Sequence, residues 1–280
     1  MAFDFQSYIA QHKVSSTRQS IVFENYAYVE DMQRLRQLAG IPGLSRIIEL
    51  GMTAWKMTDR PRLRRKSYEL GLDERLPRLW REVCARFGVT PMEVRIVPGQ
   101  EQFFAPYGDG KDVFFGLSVP AASLPSAALR FVFGQGLGAW ANGHVPYMTL
   151  MRFANSLTYG VLGKAAQWMD LLLRWQRAAA VTQDRAGMLA CRDVSAAILM
   201  IMKSELDWED DEIMKEIRRY HNHLDVDWGT REVAHRVRAL SCFLQSDLYA
   251  QASGHLVIES LPMEKVDEEV QKSLRELISV

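Results

Sequence analysis

The chain has 280 residues, 48% hydrophobic and 24% charged, with 34 Lys plus Arg against 34 Asp plus Glu. That composition excludes a disordered chain and suits a globular protein with a sizeable core. The zero net charge lacks the basic excess of a general nucleic-acid binder, so no nucleic acid is expected as a partner. Cys84, Cys191 and Cys242 lie far apart and form no C-x-x-C pair, which fits a reducing, cytoplasmic setting.

No basic segment followed by an apolar one opens the sequence. The longest clean apolar run, Val194 to Met202, falls far short of the ~20 residues of a membrane helix, so no membrane span is expected. Residues 1–90 read as mostly helical, with helical spacing of apolar residues over Tyr26 to Leu38 and Leu44 to Met57. The basic run Arg60, Arg62, Arg64, Arg65 and Lys66 reads as a solvated face or a site for an acidic partner. Leu76 to Phe87 is a further helix, closed by Gly88.

Residues 92–119 change character. Glu93 to Val97 alternates and stops at Pro98-Gly99, a strand and a turn. Gln102 to Tyr107 and Asp112 to Val119 are aromatic and β-branched around Gly108-Asp109-Gly110, a hairpin. Helices resume with Ser126 to Trp140, one or two more over Leu150 to Asp193, and the nearly all-apolar Val194 to Ser204. The acidic patch Asp207 to Asp211 reads as a loop or helix start, Val233 to Gln251 as one helix, and Pro262 to Ile278 as an amphipathic C-terminal helix. The expected fold is α+β, mostly α. Three regions follow: N-terminal helices over 1–90, a core over 91–260 and a C-terminal helix over 261–280, all one compact unit.

The glycine-rich helix Phe133-Gly134-Gln135-Gly136-Leu137-Gly138-Ala139-Trp140-Ala141-Asn142-Gly143-His144 resembles the zinc helix of the gluzincin endopeptidases of the CAAX-prenyl-protease and HtpX type. Theirs reads roughly H-E-L-G-H-x-x-x-x-H, and Leu137, Gly138 and His144 stand in register with it. Asp184-Arg185-Ala186-Gly187 resembles the family's E-x-x-x-D-R-A-G. Thr230-Arg231-Glu232, leading to His235-Arg236-Val237-Arg238, resembles its later Arg-rich helix. The resemblance covers about residues 70–250 and implies a gluzincin-like helical domain with a small sheet beside the zinc helix.

That chemistry needs two His at i and i+4 on one metal, a Glu beside the first as base, and a third ligand from another helix. Here the matching positions are Gln135, Ala139, Gly136 and Ala180, so ligands and base are all absent. The resemblance leaves His144, Asp184, Arg185 and Arg236 as remnants around a cleft. It also makes Gln102, Phe103, Phe104, Phe114 and Phe115 candidates for an edge strand that receives an extended segment. Read plainly, Asp184 with Arg185 is a structural ion pair or a cap. His221 with His223 is a solvated or hydrogen-bonded pair, Cys191 a structural thiol, and Met188 to Met202 core. The expectation is a catalytically inactive peptidase relative with no metal and no cofactor, working through a protein partner or a second copy of itself. The alternatives are a hydrolase with rearranged ligands, or a module that binds a small molecule or peptide in the old cleft.

Overall fold

A computed structural model describes residues 23–70, 74–98, 103–153, 159–206, 211–213, 215, 231–254 and 260–278. In chain order its helices are α1 (Phe23–Tyr26), α2 (Val29–Ala39), α3 (Leu44–Met57), α4 (Asp59–Lys66), α5 (Arg75–Arg86), α6 (Val119–Ala122), α7 (Ser126–Ala141), α8 (Val145–Phe153), α9 (Tyr159–Cys191), α10 (Val194–Glu205), α11 (Arg231–Leu244), α12 (Asp247–Ser253) and α13 (Met263–Ile278). The strands are β1 (Tyr68–Glu69), β2 (Val94–Val97), β3 (Phe104–Gly108) and β4 (Val113–Ser118). The fold is α+β and mostly α, with one mixed sheet in the order β1-β2-β4-β3.

Helix α7 is the centre. Apart from Arg130 and Gln135 its sequence is apolar or glycine after Ser126, and it is buried on nearly every side. Such a helix belongs inside the molecule rather than on its rim. Three glycines weaken it by about 1 kcal/mol each relative to Ala, and two of them return that through close packing. A Cβ on Gly134 would lie 2.6 Å from the Ala186 carbonyl oxygen and 2.8 Å from Gly187 Cα. One on Gly138 would lie 2.6 Å from Ala186 Cβ. As numbers rise along α7 the facing numbers on α9 fall, so the two helices run antiparallel with backbones nearly touching.

On its other side α7 meets the sheet. Trp80 of α5 packs on Phe104, Phe115 and Phe133, with ring centroids 5.5, 5.0 and 5.4 Å away. Its indole N–H donates to the Met92 carbonyl at 3.0 Å. The hairpin joining β3 to β4 turns where Asp109 Oδ1 accepts the amides of Lys111 and Asp112, both at 2.9 Å. Gly108 is required there: its φ is 145°, and a Cβ would sit 2.1 Å from the Asp112 carbonyl oxygen.

Several boundaries differ from the sequence reading. The basic run is itself a helix, α4, and β1 and α6 are additional short elements. Val233 to Gln251 is not one helix: Ser246 leaves helical geometry, accepts the Tyr249 amide at 3.0 Å and starts α12. The stretch 150–193 divides between α8 and α9, and Asp193 caps α10 by accepting the Ala196 amide. The segment Met188 to Met202 lies in the core at Met188, Met200 and Met202. Most of the acidic patch, from Asp207 through Asp210, lies outside the described residues.

Candidate functional site

Four consecutive residues of α9, Thr182, Gln183, Asp184 and Arg185, are the polar hub of the molecule. Successive helical residues are rotated by about 100°, so four in a row point to four different neighbours. Asp184 faces α7 and α11. Its Oδ1 accepts from Gln135 Nε2 at 2.8 Å and from Arg236 Nη2 at 2.7 Å, and its Oδ2 accepts from Arg236 Nε at 2.8 Å. Arg236 also donates to Ser204 Oγ at 2.9 Å and Glu205 Oε1 at 2.7 Å. Burial alone disfavours the charged guanidinium, but the carboxylates of Asp184 and Glu205 outweigh it and hold Arg236 above the ordinary arginine range. Beside it on α11, burial and the Arg236 charge push His235 down to about 4.

Arg185 faces the opposite way. It donates to Asp267 Oδ1 of α13 at 2.6 Å and to the Tyr26 carbonyl at 3.3 Å, between the rings of Tyr28 and Phe243. Asp267 Oδ2 in turn accepts the Val29 amide, the first of α2, at 3.0 Å. Asp184 and Arg185 are therefore not a pair with each other, as the plain sequence reading had it; each is buried against a different partner.

Thr182 and Gln183 serve a third cluster. Asp31 of α2, fully buried, accepts from Thr182 Oγ1 at 2.6 Å and Trp175 Nε1 at 3.0 Å. His144 Nε2 lies 2.9 Å from Asp31 Oδ2, and Gln183 Nε2 lies 3.3 Å from His144 Nδ1. His144 follows the end of α7 and is sealed with Asp31 away from Gln135. Among the described residues neither His144 nor Arg185 shares a hydrogen bond or ion pair with Gln135, Asp184 or Arg236.

The structure thus brings together Gln135, Asp184 and Arg236. One turn onward along α7 is Ala139, and one turn back along antiparallel α9 is Ala180. Gly136 points instead at the sheet, where a Cβ would lie 2.5 Å from two ring atoms of Phe104. That ring fills the space beside Gly136.

The edge-strand residues need correction. Phe104 and Phe115 are rings of the main core, Phe103 packs partly buried against that core, and Phe114 is buried in a smaller cluster with Trp55, Ala105 and Tyr107. In the β3–β4 register the Phe103 carbonyl accepts the Ser118 amide at 2.9 Å, so the main-chain groups of Phe104, Pro106 and Gly108 point away from β4. Arg152 donates to the Pro106 carbonyl at 2.9 Å, the Gly108 amide donates to Thr149 Oγ1 at 3.2 Å, and Pro106 has no N–H to offer. Helix α8 therefore covers this edge. Gln102, His221 and His223 lie outside the described residues.

The residues do not fit a zinc ion. Gln135 spends its amide N–H on Asp184, Ala139 and Ala180 carry no donor, and Asp184 is taken by Arg236. Among the described residues no three His, Cys, Asp or Glu converge as a metal site. Burial pushes the Cys191 thiol up to about 12, against nucleophilic use.

Asp31, Gln183, Glu205 and Asp267 were not found from sequence. Asp267 had a signal: it interrupts the apolar stripe Met263, Val266, Val270 of α13, where a charge must find a buried partner. Asp31 had none, because an acid in the first turn of a helix is ordinary. No family model, curated protein or solved structure matches this chain.

Proposed function

We propose that the chain is a catalytically inactive relative of the gluzincin endopeptidases of the CAAX-prenyl-protease and HtpX type, acting by binding a protein partner. One observation carries this reading: the Gln135–Asp184 hydrogen bond across the antiparallel α7–α9 seam. The resemblance puts a zinc-bound His at position 135 and the Asp that orients it at 184. Sequence matching of two separate helices predicts no contact between those positions unless the helices pair in the family's manner. Gln135 keeps the N–H that such a His would donate, while Ala139 and Ala180 remove the donors around it. Gly136, in place of the general base, makes room for the Phe104 ring. Arg236 supplies the buried positive charge that Asp184 needs without a metal.

Two measurements test it. Elemental analysis of protein purified without chelator should find no stoichiometric zinc; one zinc per chain overturns the reading. The triple variant Gln135→His, Ala139→His, Ala180→Glu should then gain zinc affinity, because i, i+4 imidazoles on α7 and a carboxylate on α9 reach one ion. Gly136 is left alone, since a larger side chain there meets Phe104. A folded triple variant that binds zinc no better than the parent removes the alignment on which the reading stands.

A further inference from the structure

We propose that the outward face of α4 docks an acidic segment of a partner protein, with Met57 and Tyr68 as apolar anchors at its two ends. This takes from the preceding reading only that the chain works through a partner.

The cations of α4 divide into two sets by helical geometry. Arg60 and Arg64, at i and i+4, turn inward: Arg60 Nη2 lies 2.6 Å from Asp112 Oδ2, and Arg64 bonds Glu93. The Arg64 guanidinium also lies 5.7 Å from the centre of the Phe114 ring. Leu63 between them packs on the cluster of Trp55, Tyr107 and Phe114. Arg62, Arg65 and Lys66, at i, i+3 and i+4, occupy the opposite side. All three are exposed, and among the described residues none meets a carboxylate. Nearby Lys56, by contrast, lies 2.6 Å from Asp109 Oδ2. Arg65 Nε bonds only the Pro61 carbonyl of its own helix, at 3.4 Å, so among the described residues acids are supplied to the inner cations and none to the outer three.

Large apolar side chains flank them. Met57, just before α4, is 76% exposed, and Tyr68, just after it, is 65% exposed. They are the two most exposed large hydrophobic residues described. Eight helical residues span about 12 Å, so Met57 and Tyr68 stand at the two ends of a cationic helix about two turns long.

Composition and charge choose the occupant. Arg, Met and aromatic residues are the types enriched at protein interfaces. A polybasic lipid site takes four to eight Lys or Arg, and on α4 only three lack a carboxylate partner among the described residues. The zero net charge of the chain gives no long-range attraction for a nucleic acid. An acidic segment with carboxylates at i, i+3 and i+4 complements Arg62, Arg65 and Lys66.

The test uses the full chain and fluorescence anisotropy at low salt. The probe is a fluorescein-labelled peptide with Glu at i, i+3 and i+4 and a Leu at each end; its control carries Lys for Glu. The Glu peptide should bind at least about tenfold tighter than the control. Arg62→Glu, Arg65→Glu, Lys66→Glu together should erase that preference, whereas Arg78→Glu with Arg81→Glu on α5 should retain it. Met57→Ser with Tyr68→Ser should weaken binding about threefold or more at any salt concentration. Circular dichroism melts confirm that these surface variants stay folded. The proposal is overturned by no preference for the Glu peptide, by an equal loss in the α5 variant, or by no effect of the serine pair. It is overturned equally by tighter binding to phosphatidylserine vesicles or single-stranded DNA that the α4 reversal abolishes. A negative result leaves the zinc tests standing, and a positive one does not depend on them.

Discussion

Helix α7 has two flanks, and they solve the same packing problem by opposite chemistry. Toward α9 and α11 it meets a polar network in which Gln135, Asp184, Arg236, Ser204 and Glu205 satisfy one another. Toward the sheet it meets uncharged rings, with Phe104 stacked on Phe115 at 5.2 Å and edge-on to Phe133 at 4.8 Å. Glycine appears on both flanks for different reasons. Gly134 admits a backbone, the Ala186 carbonyl, whereas Gly136 admits a side chain, the Phe104 ring. A backbone contact is fixed by two helices at once, but a ring can be replaced. The polar flank is therefore sensitive to losing one partner, and the aromatic flank to changes of volume.

The largest effect should come from unbalancing the polar flank. Asp184→Leu leaves the buried Arg236 guanidinium with Glu205 as its one carboxylate partner and should cost about 3–5 kcal/mol in urea denaturation. Adding Arg236→Met should recover most of that, because two apolar side chains need no mutual compensation. A double variant as unstable as the single one would show that the network does more than neutralise buried charge.

Acid should also act on the polar flank. His235 has its pKa lowered to about 4 by burial and the adjacent Arg236 charge, against about 6.5 for an exposed imidazole. The unfolded chain therefore takes up the proton first as pH falls. The stability from keeping His235 neutral is complete above about pH 6.5 and is lost progressively toward pH 4, by about 3 kcal/mol. Unfolding measured from pH 7.5 to 4 should show this slope in the parent and a shallower one in His235→Gln. Equal slopes would place the acid sensitivity on other groups.

The smallest effect separates the two glycines. Gly136→Ala and Gly134→Ala should each cost about 1–3 kcal/mol by overpacking. In a Phe104→Leu background Gly136→Ala should become nearly neutral, while Gly134→Ala should keep its full cost, since the Ala186 carbonyl cannot turn aside. A double-mutant cycle on Gly136 and Phe104 measures this directly.

What the sequence by itself determined is the coarse succession of helices, a strand with a hairpin, and helices again, and the apolar stretch Val194 to Ser204, α10, as a central helix. Local signals suffice there: an apolar run without charges cannot face water, and Pro98-Gly99 and Gly108-Asp109-Gly110 break the chain wherever they fall. Asp184 was singled out only through the family resemblance, and residue type alone offered no more than an ion pair or a cap. Which partner each polar group takes was decided only by the tertiary structure. Asp184 and Arg185 are adjacent in sequence yet rotated apart by one helical step, so they pair with residues 52 and 82 positions away. Asp31 looks like any acid at a helix start until α9 brings Trp175 and Thr182 onto it across 144 and 151 residues. The aromatic strand residues read equally well as an exposed edge or a core, because rings suit both. Helix α8, laid along β3 with Arg152 and Thr149 on its free main-chain groups, is what makes that edge covered, and no local pattern in residues 102–119 encodes a helix 30 positions later.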